Sequence, residues 1–159
     1  LLKEDISINR NWDQDKENIK EQLKKINNGY IIIYPEGTRY SKKKHKESLN
    51  FSYINKLPFF NYTLTPKVRG THLIFSSLLE QNKLGDVYDM TIIFPKYINK
   101  ELYLKKIIND SNLGDLFIFF KKIHFNKKEI DYELFKKKIF TIWFDKNIII
   151  DFVHRKKIL

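Results

Sequence analysis

From Trp12 to Asn28 the apolar residues Ile19, Leu23 and Ile26 fall on one stripe at helical spacing, with charge elsewhere. The spacing predicts an amphipathic helix closed by Asn27-Asn28-Gly29. The period then breaks, because Tyr30-Ile31-Ile32-Ile33-Tyr34 is a continuous run rich in β-branched and aromatic residues. It predicts a buried strand over Tyr30 to Tyr34, leading into a loop from Pro35 to Tyr40. Ser41 is suited to cap a second helix that runs to about Lys56 and is closed by Leu57-Pro58. Leu64 to Gly70 reads as a short extended segment and turn, followed by a helix from about Thr71 to Gln81. Val87 to Phe94 is a second strand, stopped by Pro95, and Leu102 to Ile108 is helical.

Leu116 to Phe125 alternates weakly, but its aromatics favour strand, and Leu116 to Phe120 are expected as sheet core. From Ile130 a helical pattern runs to the end of the chain, broken around Asp145-Lys146-Asn147. No internal repeat and no Gly/Ser/Pro linker divides the sequence. Strands alternating with helices predict one α/β domain, a partly parallel mixed sheet flanked by helices.

The 159 residues suffice for one domain with a core, and the chain begins at Leu1, so it is read as a piece of a longer protein. No signal peptide is visible. The densest apolar stretches, Leu116–Phe120, Ile139–Phe144 and Ile148–Ile150, are far shorter than the roughly 18–20 residues of a transmembrane helix. There are no cysteines, which excludes disulfides and thiolate metal ligands. The four histidines, His45, His72, His124 and His154, are too scattered to pair as ligands, so no metal site is expected.

A net charge of +11 invites a nucleic-acid or anionic-membrane partner. The basic residues are 26 lysines against 4 arginines, amid abundant isoleucine and asparagine. Lysine is thus the default basic residue here, and the few arginines gain interest because an ammonium does not replace a guanidinium. No basic face interleaved with aromatics and no nucleic-acid motif is evident, so no nucleic-acid partner is expected.

The stretch Tyr34-Pro35-Glu36-Gly37-Thr38-Arg39 concentrates candidate chemistry directly after the first predicted strand. Ligands of α/β proteins collect beyond the carboxyl ends of strands. Gly37 permits a backbone conformation closed to other residues, and Arg39 offers a planar fork for phosphate oxygens. The plain alternative is a tight turn with Glu36 and Arg39 paired on the surface.

Four ordered blocks are similar to the lysophospholipid acyltransferase family, in its branch of 1-acylglycerol-3-phosphate and lysocardiolipin acyltransferases. They are Asn9-Arg10-Asn11-Trp12-Asp13-Gln14-Asp15; Pro35-Glu36-Gly37-Thr38-Arg39 with Lys44-His45-Lys46-Glu47-Ser48 after it; Leu64-Thr65-Pro66-Lys67-Val68-Arg69-Gly70; and Val87-Tyr88-Asp89-Met90-Thr91. Together they span about residues 9 to 94, and the tail from Leu116 resembles the family more loosely.

The family's catalytic His-x4-Asp block is absent from this sequence. Five residues after His45, His72 and His154 stand Asn50, Ser77 and Leu159, and Glu129 after His124 lies on the wrong side of the other blocks. The resemblance therefore implies that residues 1–159 are the C-terminal part of one glycerolphosphate acyltransferase-type domain, incomplete and by itself inactive, with the dyad upstream. It implies an O-acyltransferase that moves a fatty acyl group from acyl-CoA, a co-substrate rather than a cofactor, to a lysophospholipid hydroxyl. It also implies a membrane-associated protein, by analogy at the endoplasmic reticulum.

Within that frame Arg39 is the expected contact to the acceptor phosphate, with Gly37 and Thr38 supplying an amide and a hydroxyl. Glu36 either orients Arg39 or accepts a bond from a glycerol hydroxyl. Arg10 is either a second head-group contact or a surface arginine beside a helix start, and Asp15 either holds it or caps that helix. Pro66 shapes the turn beside the site. Arg69 either faces phosphate or sits in a salt bridge. The basic run Lys42 to Lys46 either draws in anionic lipid or coenzyme A phosphates, or is a solvated helix start. A relative that binds lipid head groups without the dyad is the competing function.

Overall fold

The computed structural model describes residues 12–27, 29–100, 102, 108–109, 114–125 and 127–156. Among them are four α-helices and a two-stranded sheet: α1 (Trp12–Lys25), α2 (Lys42–Ile54), α3 (Val68–Glu80), β1 (Val87–Ile93), β2 (Phe117–Ile123) and α4 (Tyr132–Lys156). The helix expected from Leu102 to Ile108 falls mostly outside the described residues.

α1 carries the stripe its spacing dictates. Ile19 and Leu23 are buried against Leu73 and Leu78 of α3, with Ile26 and Ile31 at the margin. α2 starts where a capping serine puts it, since Ser41 is extended (φ −147°) and its Oγ accepts from the Lys44 amide at 3.2 Å. α3 begins at Val68, earlier than the predicted Thr71, and so takes Gly70 into its first turn. The main core joins three parts of the chain: Phe60 from the segment before α3, Val68 and Phe75 from α3, and Phe135, Ile139 and Trp143 from α4.

Four expectations are overturned. The sheet is antiparallel, with Val87 opposite Ile123 and Ile93 opposite Phe117, and no parallel pair occurs among the described residues. The run Tyr30 to Tyr34 forms no strand: Tyr30 is 97% and Tyr34 78% exposed, and only Ile31 of the five reaches a core cluster. A strand is held by ladder bonds to a neighbour, and no described strand lies beside this segment.

Of the β2 aromatics, Phe119 alone reaches a core cluster; Phe117 and Phe120 are exposed. Helix α4 covers one face of the hairpin, where Ile93 and Phe119 meet Ile150 and Val153. Alternation then sends Ile118 and Phe120 to the opposite face with Tyr88, Met90 and Ile92, all exposed. Tyr88 and Phe120 stack there at 4.8 Å.

Finally, α4 is not interrupted at Asp145-Lys146-Asn147 but runs as one helix of 25 residues. Lys146 is buried because the ammonium finds partners on β1: the Asp89 carboxylate at 2.5 Å, the Thr91 hydroxyl at 2.8 Å and the Met90 carbonyl at 3.0 Å. Polar residues that break an apolar pattern locally are here tertiary clasps.

Candidate functional site

The loop after Tyr34 opens with a tight turn in which the Gly37 amide donates to the Tyr34 carbonyl at 2.9 Å. Pro35 pre-sets the backbone for such a turn, and Gly37 leaves it at φ +67°, in the left-handed region. The Lys67 amide then donates to the Pro35 carbonyl at 2.6 Å, fastening the loop to the start of α3. The Lys67 side chain folds over Gly37, so that a methyl group there would meet Cδ at 3.2 Å and Nζ at 3.4 Å. Lys67 is thus a second cation beside the loop.

The segment before α3 is anchored from both sides. The Thr65 amide donates to Ser48 Oγ at 2.7 Å, and its hydroxyl meets Ser48 Oγ at 2.9 Å and the buried Ser52 Oγ at 2.7 Å. His45 Nε2 lies 2.8 Å from the Phe60 carbonyl; because that oxygen can only accept, Nε2 carries the proton. On the α4 side, Asn147 accepts from the Tyr62 amide at 2.9 Å and donates to Thr63 Oγ1 at 2.8 Å. The Tyr62 hydroxyl donates to Asp151 at 2.7 Å, which holds that carboxyl below its ordinary pKa and raises that of the phenol. Pro66 is buried at the end of this clamped segment, next to the residue that grips the loop.

Glu36 turns inward. Its carboxylate is partly buried and faces the Leu64 amide, the Trp143 indole N–H and, farther off, the Lys146 ammonium. Burial pushes its pKa above the ordinary value; the Leu64 amide, the indole and the ammonium pull it part of the way back. The indole N–H is buried and makes no hydrogen bond of normal geometry. No Glu36–Arg39 ion pair forms, and the surface-pair reading of this turn fails.

With the carboxylate withdrawn, the outward groups are Gly37, Thr38 and Arg39, all exposed. Next to them α2 begins with Lys42, Lys43 and Lys44 and has no acidic residue in its first turn. Cations at the positive end of a helix are misplaced for helix stability, but together they set up a strongly positive local potential. The structure therefore brings Glu36, Gly37, Thr38, Arg39 and Pro66 to one locality. Arg10 lies outside the described residues. Asp15 is buried and lies in the second turn of α1. Arg69 is exposed and has no salt bridge among the described residues. Lys67, Lys146, Asn147 and Trp143 were not legible as site residues in the sequence, because each acts on a segment far along the chain. No cluster of metal-ligating side chains occurs among the described residues.

The chain is 30% identical over 101 residues to 1-acyl-sn-glycerol-3-phosphate acyltransferase delta of Bos taurus, covering 61% of this chain and 26% of that protein. It is 26% identical over 147 residues to lysocardiolipin acyltransferase 1 of Gallus gallus, covering 89% of this chain and 36% of that protein. The chain is related to the lysophospholipid acyltransferases. A plant member of that group, probable 1-acyl-sn-glycerol-3-phosphate acyltransferase 5 of Arabidopsis thaliana, is 32% identical over 97 residues, or 57% of this chain and 25% of that one. The chain thus spans roughly a quarter to a third of the length of these acyltransferases. No family model and no solved structure matches it. No helix among the described residues is long and apolar enough to cross a membrane.

Proposed function

We propose that this segment is the acceptor-binding part of an acyl-CoA-dependent lysophospholipid acyltransferase, and that the loop Glu36 to Arg39 holds the acceptor's phosphate. The observation that carries the reading is the division of labour within the loop. Glu36 is turned toward Leu64, Trp143 and Lys146, so the groups left at the surface are donors and cations. Arg39 takes phosphate oxygens through its planar fork, with the Thr38 hydroxyl and the Lys67 ammonium beside it. Arg10 is a further contact in the same proposal, and Pro66 keeps the Lys67 grip in place.

Acyl transfer needs a general base on the acceptor hydroxyl, supplied in this proposal by a His-x4-Asp pair upstream of these blocks. The hydroxyl oxygen bonds to the thioester carbonyl carbon, the carbon–sulfur bond breaks, and coenzyme A leaves as the thiol. The residues described here orient the acceptor for that attack and take no proton themselves. The exposed apolar sheet face and the lysine-rich surface favour work at an anionic membrane surface; residence at the endoplasmic reticulum belongs to the same proposal.

The test is acyl transfer to lysophosphatidic acid by the full-length protein, native and Arg39→Lys. The reading expects the KM for the acceptor to rise at least tenfold while that for acyl-CoA stays within twofold, as about 1.4 kcal/mol of phosphate binding is lost. Unchanged acceptor kinetics would remove Arg39 from the phosphate site. Saturable binding of lysophosphatidic acid without turnover, in a full-length protein that lacks the dyad, would establish the non-catalytic head-group binder instead.

A further inference from the structure

A second concave surface lies along the groove between α1 and α3, reaching the start of α4. This open groove offers about 550 Å³ and is lined by Lys16 and Lys20 of α1, Arg69, His72 and Glu80 of α3, and Tyr132 of α4. None of the residues of the Glu36–Arg39 loop lines it.

Among the described lining residues, three cations face this space against one carboxylate. Lys16 and Arg69 have no carboxylate within 4.0 Å among the described residues, and Lys20 meets Glu17 only at 3.9 Å. Like charges gathered in a concavity repel one another, and an anion of more than one charge relieves that repulsion at several points at once. His72 is positioned as well: its Nε2 donates to the Ile130 carbonyl at 2.7 Å, and its ring packs edge-on against Tyr132 and Phe135 at 5.3 and 5.2 Å. That bond leaves Nδ1 as an acceptor in the neutral ring and a donor in the charged one.

We infer that this groove binds a phosphate-bearing anion larger than a single phosphate, either a diphosphate or a phosphate carrying an organic body. The open groove gives room for more than a lone phosphate, so a second phosphate or an organic body fits along it. Arg69 is the forked contact, Lys16 and Lys20 the point charges, and the Tyr132 ring a flat apolar wall for the organic part.

The test uses the Arg39→Ala background, which removes the forked contact of the loop proposed above, and reads the groove through Arg69 and Lys16. Inorganic pyrophosphate is titrated calorimetrically, and vesicles of phosphatidylcholine with and without phosphatidic acid are titrated in parallel. The inference expects saturable binding of pyrophosphate, or of the acidic vesicles alone if the anion is a lipid head group. Affinity should fall about tenfold or more with Arg69→Ala and with Lys16→Ala, and recover in part with Arg69→Lys. Circular dichroism matched to the parent protein excludes misfolding of the variants. Absence of saturable binding in the Arg39→Ala protein, or binding that ignores Arg69 and Lys16, overturns the inference and leaves the reading of the Arg39 loop intact.

Discussion

The Lys146 ammonium of α4 lies 2.5 Å from the Asp89 carboxylate of β1 and so clamps the long helix to the hairpin. Both side chains are largely withdrawn from water, and removing one leaves the other charged and unpartnered. Lys146→Met is expected to lower unfolding free energy by about 3 kcal/mol, the low end for a broken buried pair because Asp89 keeps some solvent. The double variant Lys146→Met with Asp89→Leu should regain most of that loss. Urea unfolding of the three proteins checks it; a double variant no better than the single would show that the pair is not the source.

Thr65 joins the loop segment to α2 through Ser48 and Ser52, the latter completely buried. Thr65→Val conserves shape and removes the hydroxyl, leaving buried Ser52 short of a partner. The expected cost is about 1–3 kcal/mol of stability. Hydrogen exchange should quicken at residues 63–67 before it does in α4, since the change loosens one side of the clamp only.

At Gly37 two penalties coincide: a φ of +67° and a Lys67 side chain already against the missing Cβ. Gly37→Ala should cost about 1–2 kcal/mol from the left-handed backbone alone. It should also displace Lys67 and weaken lysophosphatidic acid binding. Thermal melts measure the first effect and acceptor titration the second.

Glu36 gives a pH signature whose sign follows from its burial. The folded-state pKa is raised above the unfolded value, so the folded form binds the proton more tightly. Its contribution to stability is complete below the unfolded carboxylate pKa and is lost as pH rises through the raised folded value. Glu36→Gln should therefore flatten the stability profile over that acid-side window. Denaturant unfolding across it is the measurement, and a profile parallel to the native one would exclude Glu36 as the cause.

Much of the site was legible because its determinants are local. A proline followed two residues later by glycine specifies a turn, and Ser41 specifies a helix start, whatever surrounds them. What Glu36 faces was not legible. Its neighbours Leu64 and Trp143 lie far along the chain, and no pattern near Glu36 announces them.

Elements whose burial stripe or cap is written within a few residues could be read locally: α1, α2, most of α3, both strands, and the blocks that carry the resemblance to the acyltransferases. Long-range contacts settle that Asp145-Lys146-Asn147 continues α4, that β1 and β2 pair antiparallel, and that the run Tyr30 to Tyr34 is mostly exposed. The physical reason is the same in each case. A polar residue fits a buried face, and an apolar run becomes a strand, only if a partner distant in sequence arrives to satisfy it. For Lys146 that partner is Asp89; for Tyr30 to Tyr34 no such strand lies among the described residues.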